Sequence, residues 1–349
     1  MSMPHDMLKV QTNQITQTEA KNMSDQFKSN LESILDYLGV DNDEQTKEKI
    51  GSLLNEKVNL LLVGATGSGK SSTINAMFNM EVAKVGVGAD PETSCIEQYE
   101  LGELTIWDTP GMGDGVERDI EIATAIKAKL EDVDEDGRQI IDMVLIVLDA
   151  STKDLSNVYT LINEVLLPSL GDEAEMRIVV GLNQSDMAMK GRHWDPEKNE
   201  PDQTLKDFLD SKAASVSQRI KENTGLNLKA VCYCAGYTDE DEKRNPYNLT
   251  KLLHFILRHT PEEKRLVLVE NLNEDEENWE HNDDDEDHRS GVLDDLLFSI
   301  WNGFDCGVET GCEVGKEILG LPGLALGGVL GAVIGTVGGA VSGIRYFVL

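Results

Sequence analysis

The sequence predicts an α/β fold with a doubly wound parallel sheet. Short apolar runs recur along the middle of the chain, as expected for strands that helices cover on both faces. Patterns of helical spacing alternate with these runs, which is typical of a sheet with helices on both sides. A glycine-rich segment at residues 64–71 lies between the first run and the first helical pattern. Together these observations predict a doubly wound architecture for the central part of the chain.

The predicted elements follow one another in a regular order. The strands are five apolar runs, at residues 58–63, 101–107, 143–148, 176–182 and 228–233. The helices lie at residues 72–78, 120–130, 156–167, 204–223 and 248–257. Asp154 precedes the third helix and is interpreted as a helix cap rather than a catalytic carboxylate. With 349 residues the chain is longer than this core requires, so we expect additions at both ends.

The segment at residues 64–71 has the sequence Gly-Ala-Thr-Gly-Ser-Gly-Lys-Ser, the spacing of a phosphate-binding loop. Its glycines permit a tight turn with inward N–H groups, its lysine can reach the β- and γ-phosphates, and its last serine can bind Mg²⁺. The residues predicted to bind nucleotide here are Gly64, Thr66, Gly67, Ser68, Gly69, Lys70, Ser71 and Ser72. This segment, which we call the phosphate loop, predicts binding of a nucleoside triphosphate.

The second predicted strand is followed by Asp108-Thr109-Pro110-Gly111. A carboxylate at the end of a strand can hold Mg²⁺ through water, and the N–H of Gly111 can contact a γ-phosphate. We therefore expect Asp108 and Gly111 to complete the phosphate and metal site.

The residues that indicate which base is bound follow the last two predicted strands. Asn183 and Asp186 follow the fourth strand, and the Asp186 carboxylate could accept hydrogen bonds from N1 and N2 of guanine. Adenine offers no such pair of donors. Cys234 and Ala235 follow the fifth strand, where small residues let a backbone N–H approach the guanine O6. The order and spacing of these motifs predict a GTPase, whereas an ATPase would require Asp186 not to bind the base.

With these motifs the chain resembles the Ras-like GTPases of the Era, tRNA-modification GTPase and septin superfamily. More narrowly, it resembles the bacterial YfjP-type GTPases, over residues 57–259 and including the stretches 85–88, 187–195 and 246–249. The resemblance implies hydrolysis of GTP to GDP with Mg²⁺ as cofactor. It also implies that Lys70 and Gly111 act on the phosphates and that Ser71 and Asp108 hold Mg²⁺.

The resemblance further implies a first-switch threonine that binds Mg²⁺ and senses the γ-phosphate. Thr93 is the candidate for this catalytic and metal-binding role, and Ser94 is the alternative. A merely solvated loop residue at position 93 is the competing interpretation, because one threonine is a weak motif.

Three residues depart from the family pattern. Gln184 stands where many relatives have a lysine over the base, and Gly67 stands where potassium-stimulated relatives have an asparagine. Met112 replaces the glutamine that orients water in Ras, so we expect slow intrinsic hydrolysis. A group supplied by a second protomer or a partner can raise such rates by about 10³–10⁵.

Two hypotheses for the function follow: a regulatory GTP hydrolase, or a nucleotide-dependent binding and assembly module. A ribosome-associated GTPase is a further alternative.

Composition and charge divide the chain into four predicted parts. These are an N-terminal helical segment (1–55), the GTPase domain (56–265), an acidic linker (266–295) and an apolar tail (296–349). The net charge is −33, and residues 270–287 contain eleven acids and no lysine or arginine, which indicates a solvated linker. This charge argues against direct nucleic-acid binding. The cysteines form no zinc pattern and the first residues lack a secretory signal, so we expect a cytoplasmic protein.

The C-terminal segment is the second strong signal. Residues 318–344 are 27 positions without a charge, and glycine recurs there every fourth residue from 323 to 343. Roughly 20 apolar residues suffice to span a bilayer, and small residues at this spacing let helices approach closely. We expect a membrane-associated or self-associating helical tail, a glycine zipper; a soluble glycine-rich hairpin is the alternative. A homodimer or oligomer could form through the zipper or through the nucleotide face.

Overall fold

The computed structural model describes residues 8–10, 27–29, 31, 44–78, 95–113, 115–153, 155–238, 243–283 and 285–301. Its strands in these residues are β1 Leu8–Val10, β2 Val58–Gly64, β3 Ile96–Leu101, β4 Leu104–Asp108, β5 Met143–Asp149, β6 Ile178–Asn183, β7 Trp194–Asp195, β8 Glu200–Pro201, β9 Ala230–Cys232, β10 Tyr237–Thr238 and β11 Lys243–Arg244. Its α-helices are α1 Glu44–Leu53, α2 Lys70–Met77, α3 Val116–Leu130, α4 Ser156–Leu161, α5 Leu167–Leu170, α6 Ala174–Arg177, α7 Gln203–Thr224, α8 Leu249–Arg258, α9 Arg265–Glu270, α10 Glu277–Glu280 and α11 His288–Trp301. A π-helical turn, Ile162–Leu166, joins α4 to α5.

The central sheet of the described residues has the order β1-β3-β4-β2-β5-β6-β9. All neighbouring strands are parallel except the β3–β4 pair, so β2, β4, β5, β6 and β9 point the same way. The phosphate loop leaves the end of β2, Asp108 ends β4 and Asn183 ends β6. Because the carboxyl ends of parallel strands meet at one edge, these residues converge where ligands bind in open α/β sheets.

The core lies on both faces of this sheet, as the apolar runs predict. Along β2, Leu60 and Leu62 belong to one cluster, with side chains of α2, α8, α9 and α11. The intervening Leu61 and Val63 belong to a second cluster, with side chains of α3, the α4–α5 region and α7. Both clusters are essentially inaccessible to solvent, which explains why β2 is a continuous apolar run rather than an alternating one. The structure thus confirms an α/β fold with a mainly parallel sheet.

The strand predicted at 101–107 corresponds to β4, Leu104–Asp108, and its predicted start is wrong, because residue 101 ends the separate antiparallel strand β3. Gly102, with φ of +53°, makes the turn between β3 and β4. The strand β3 has the sequence Ile-Glu-Gln-Tyr-Glu-Leu, and its polar residues hide it from a search for apolar runs. The last two predicted strands exist but begin two residues later than expected. For β6 the reason is the short helix α6, which occupies residues 174–177.

Residues 266–295 differ from the solvated linker that their charge suggested. Leu266, Val267, Leu268 and Val269 of α9 are buried, as is Trp279 of α10. Lysines from earlier in the chain neutralise part of the acidic run: Lys251 contacts Asp283 and Lys206 contacts Asp285, each at 2.7 Å. The acids find these partners only in the folded chain, so a count of local charge misses them. Where the domain boundaries lie stays a prediction.

The acidic segment also caps the helix that follows the phosphate loop. The backbone N–H of Asn273 donates to the Met77 carbonyl at 2.8 Å, and its side-chain amide donates to the Asn75 carbonyl at 3.0 Å. The side chain of Asn278 donates to the Ala76 carbonyl at 3.3 Å. Since the last carbonyls of a helix lack intrahelical partners, these bonds tie residues 273–278 to the C-terminus of α2.

Helix α11 packs on α8 through two facing histidines. His254 of α8 and His288 of α11 approach to 3.0 Å between their Nδ1 atoms, a distance that requires one neutral ring to accept from the other. Gly291 permits the contact, since a Cβ there would lie 2.3 Å from the His254 ring. Burial lowers the pKa of both imidazoles, so each is held neutral. The charged groups that act on the pair are Arg258, Lys251, Asp283, Glu286 and Asp295.

We expect acid to weaken this contact. The folded-state pKa values lie below the ordinary histidine value of about 6.5, so the stability that the pair contributes is present above that pH and is lost as the pH falls below it. Thermal unfolding followed by circular dichroism between pH 7.5 and 5.5 should show the loss. The His288→Gln variant keeps a polar side chain without titrating near neutrality, and its melting temperature should fall less steeply; an equal slope would contradict the prediction.

Several predictions fall outside the described residues. These are the first-switch Thr93 and its alternative Ser94, the cap at Asp154, and residues 302–349 of the apolar tail. In the part of the chain that the structure describes, no helix has the length and hydrophobicity to cross a bilayer.

Candidate nucleotide-binding site

The phosphate loop needs its glycines for conformation and for space. Gly67 and Gly69 adopt φ of +73° and +89°, a left-handed region that favours glycine. A Cβ on Gly69 would lie 2.2 Å from the Asn183 side-chain nitrogen, so any larger residue would push the loop away from the end of β6. The loop is therefore built to bring its backbone close to the end of β6.

Lys70 begins α2 and is buried beneath the loop. Its ammonium donates to the carbonyl oxygens of Ala65 at 3.2 Å and Gly64 at 3.5 Å. A buried lysine keeps its charge only where polar groups compensate it, and here the loop supplies carbonyls. The ammonium is thus fixed inside the turn whose N–H groups would surround a phosphate.

Ser71 and Asp108 meet beside the loop. The Ser71 hydroxyl donates to Asp108 Oδ2 at 2.7 Å, joining α2 to the end of β4. Asp108 is fully buried, and its Oδ1 has no hydrogen-bond partner among the described residues. Burial raises the pKa of this carboxyl to about 6, although the Lys70 ammonium and the Ser71 hydroxyl favour its charged form. A hydroxyl beside a carboxylate with an unpartnered buried oxygen fits Mg²⁺, which prefers oxygen ligands.

The segment after Asp108 rests on the phosphate loop. Thr66 N–H donates to the Met112 carbonyl at 3.0 Å, and Met112 N–H donates to the Gly64 carbonyl at 3.1 Å. Gly111 lies so close that a Cβ there would be 2.3 Å from the Thr66 Cα. The Met112 side chain is only 6% exposed and belongs to the apolar cluster beneath the sheet. The position that is glutamine in Ras therefore directs its side chain into the core.

Asn183 clamps two loops of the site together. Its side-chain amide donates to the Ser68 carbonyl of the phosphate loop at 3.0 Å, and its oxygen accepts from the Ala235 N–H at 2.9 Å. The amide is almost completely buried and uses both its donor and its acceptor. Gln184 adds a second link, since its amide donates to the Gly67 carbonyl at 2.8 Å.

Asp186 lines a cavity of about 440 Å³, together with Gly69, Asn183 and Ala235. The Cys234 thiol donates to Asp186 Oδ1 at 3.3 Å, and Asp186 N–H contacts the Cys234 sulfur at 3.2 Å. Burial, reinforced by the Asp186 charge, holds the pKa of the thiol well above its usual range, so Cys234 stays a donor. The two base motifs predicted from the sequence are thus in direct contact at one pocket.

Sequence reasoning missed three side chains that line the same cavity, Trp194, Tyr237 and Arg244. Trp194 packs edge-on against Tyr247 with ring centroids 5.3 Å apart, and its indole nitrogen has no hydrogen-bond partner within the described residues. Arg244 contacts Asp186 Oδ2 at 3.1 Å. These residues belong to short hairpins, and no motif in the sequence distinguishes them from ordinary loop residues.

Residues 59–184 match the family model of the 50S ribosome-binding GTPases. YfjP of Escherichia coli K12 is 28% identical over 148 residues, which are 42% of this chain and 47% of YfjP. The tRNA modification GTPase MnmE of Pelagibacter ubique is 28% identical over 191 residues, 54% of this chain and 35% of MnmE. The chain thus spans about half the length of these curated relatives or less. A crystal structure of Toc33 from Arabidopsis thaliana has 18% identity and a TM-score of 0.42, over 61% of this chain and 91% of Toc33.

The family match and the phosphate loop define a GTP-binding domain of the P-loop GTPase class. This chain carries a Ras-like GTPase domain, and it is similar to YfjP, which confirms the resemblance found in its motifs. The roles of individual site residues stay predictions.

Proposed function

We propose that this protein hydrolyses GTP slowly in a Mg²⁺-dependent reaction and acts as a molecular switch. The observation that carries the proposal is the convergence of two half-sites at one sheet edge. Lys70, Ser71 and Asp108 supply a cation and metal ligands, and Asp186 supplies a carboxylate for the base. Asn183 joins the halves by bonding both the phosphate loop and the loop at Ala235.

In this mechanism the protein positions GTP and compensates charge on its phosphates. Ser71 and Asp108 hold Mg²⁺, which when bound neutralises charge on the phosphate oxygens. Lys70 compensates the β- and γ-phosphates, and N–H groups of the phosphate loop surround them. Gly111 contacts the γ-phosphate, and Thr93 completes the metal site and senses that phosphate. Asp186 accepts from guanine N1 and N2, while the small residues Cys234 and Ala235 let the loop backbone approach O6.

The burial of Met112 supports a low intrinsic rate. A thioether cannot orient an attacking water by hydrogen bonding, and this side chain packs in the core instead of facing the phosphate loop. Catalytic help must therefore come from a second protomer or a partner at the nucleotide face. The same observation favours one alternative, a nucleotide-dependent assembly module in which hydrolysis is incidental.

The output of the switch is proposed to lie at the C-terminus. Helix α2 carries Lys70 and Ser71 at its start, and its last carbonyls bind Asn273 and Asn278. Movement of α2 on nucleotide exchange would act directly on residues 273–278 and, through α11, on the tail. We propose that residues 318–344 form the membrane-associated or self-associating element that this movement controls.

Single-turnover hydrolysis of GTP measured at rising protein concentration tests the proposal. We expect a slow, Mg²⁺-dependent rate that increases steeply as protein molecules associate. Omission of Mg²⁺ is the control. A flat and negligible rate with intact GTP binding would support the assembly module, and failure to bind GTP would overturn both.

A further inference from the structure

Both oxygens of the Asp186 carboxylate already have partners in this structure. Oδ1 accepts from the Cys234 thiol at 3.3 Å, which approaches from the buried wall of the pocket. Oδ2 accepts from Arg244 Nη1 at 3.1 Å, and the guanidinium lines the base cavity itself. The carboxylate side chain is 14% exposed, so its charge would be costly without this partner.

A guanidinium resembles the edge of guanine that Asp186 is predicted to bind. Atoms N1, C2, N2 and N3 of guanine form a planar guanidine unit whose N–H groups point toward a carboxylate. The Arg244 side chain presents the same planar array of N–H donors, with a positive charge in addition. Arg244 and guanine therefore offer the same hydrogen-bond donors to the same oxygen.

The hairpin holds Arg244 in place for this contact. A Cβ on Gly236 would lie 2.3 Å from the Arg244 carbonyl, so β11 packs directly on the loop that follows β9. The next residue is fixed as well, because Asn199 donates to the Asn245 carbonyl at 3.0 Å. On the other side, Lys243 pairs with Glu277 at 2.7 Å. With its backbone anchored, Arg244 stays next to Asp186 at a high effective concentration.

We propose that Arg244 is an internal mimic of guanine, which competes with the nucleotide for Asp186 and sets the affinity of the site. The inference rests on the proposed function. Guanine binding then requires release of the guanidinium, and nucleotide release restores the Arg244–Asp186 ion pair. The ion pair thus compensates the charge of Asp186 in the empty pocket. It lowers the affinity for GDP and the affinity for GTP alike.

The test is calorimetric titration of the full-length protein with GDP in the presence of Mg²⁺. The Arg244→Ala variant should bind GDP about five- to tenfold more tightly, the size expected for loss of one partly buried ion pair in the free protein. Lys127→Ala is the control, since it removes a positive charge from an exposed helix position outside the hairpin and the base cavity, and its affinity should be unchanged. Arg244→Gln, which preserves chain length, should also bind more tightly and replaces the alanine variant if that one fails to fold.

Two comparisons distinguish the outcomes. In an Asp186→Ala background, removal of Arg244 should leave the GDP affinity unchanged, because the competing contact is already gone. If the unmodified protein binds GDP but Arg244→Ala binds it equally or less tightly, Arg244 is not a competitor and this inference is wrong. If the unmodified protein binds no guanine nucleotide, the proposed function fails and the inference fails with it.

Discussion

Replacing Lys70 with alanine is expected to lower the affinity for GTP at least about 100-fold. The ammonium is the buried positive charge within the phosphate loop, where it now bonds the carbonyls of Ala65 and Gly64. Hydrogen bonds to a charged group contribute about 1.5–3 kcal/mol each, and the lysine is predicted to make two to the β- and γ-phosphates. Calorimetric titration with a non-hydrolysable GTP analogue and Mg²⁺ measures the loss.

The control for this variant is Lys127→Ala, which removes a charge from the exposed side of α3. Its affinity should match that of the unmodified protein. Circular dichroism must show that the Lys70→Ala variant still folds, since Lys70 also favours the charged form of the buried Asp108. Binding within threefold of the unmodified protein would mean that the loop does not hold phosphates in the expected way.

The site residues that could be predicted from the sequence are those whose position is set by the backbone of their own segment. The phosphate loop could be predicted because a strand, a glycine-rich turn and a helix are contiguous in the chain, and one segment contains all the information. Asp108 and Asn183 could be placed because parallel strands bring their carboxyl ends to one edge. Even the contact between Asp186 and Cys234 follows from the adjacency of β6 and β9.

What could not be predicted depends on pairs that are distant in the sequence. Arg244 reaches Asp186 across 58 positions, and Lys251 reaches Asp283 across 32. A sequence pattern shows each charge only beside its neighbours along the chain. Residues 270–287 therefore resemble a linker of mutually repelling acids until their partners in the fold are known. Strand β3 was missed because only Ile96, Tyr99 and Leu101 are buried, so polar residues interrupt the apolar run that marks a covered strand.

Replacing Asp186 with asparagine is expected to have the second large effect, on the choice of base. The preference for GTP over ATP should fall at least about 100-fold, because sites built to hydrogen-bond a substrate reject analogues that lack the group by about 10⁴–10⁵. An asparagine side chain can turn an N–H toward the N–H groups of guanine, which replaces attraction with repulsion. Asp172→Asn, an exposed change elsewhere, is the control and should keep the preference.

The informative quantity is the ratio of the affinity for GTP to the affinity for ATP. Loss of Asp186 removes the guanine contacts and also removes the competing Arg244 pair, so the affinity for GTP alone underestimates what the carboxylate contributes. Both nucleotides are compared with the same free protein, so any effect of the substitution on the free protein cancels in the ratio of the GTP and ATP affinities. Competition of unlabelled ATP and GTP against a fluorescent GTP analogue gives this ratio directly. An unchanged ratio in Asp186→Asn would show that the base is recognised elsewhere in the cavity, and the aromatic side chains of Trp194 and Tyr237 would then be the next residues to replace.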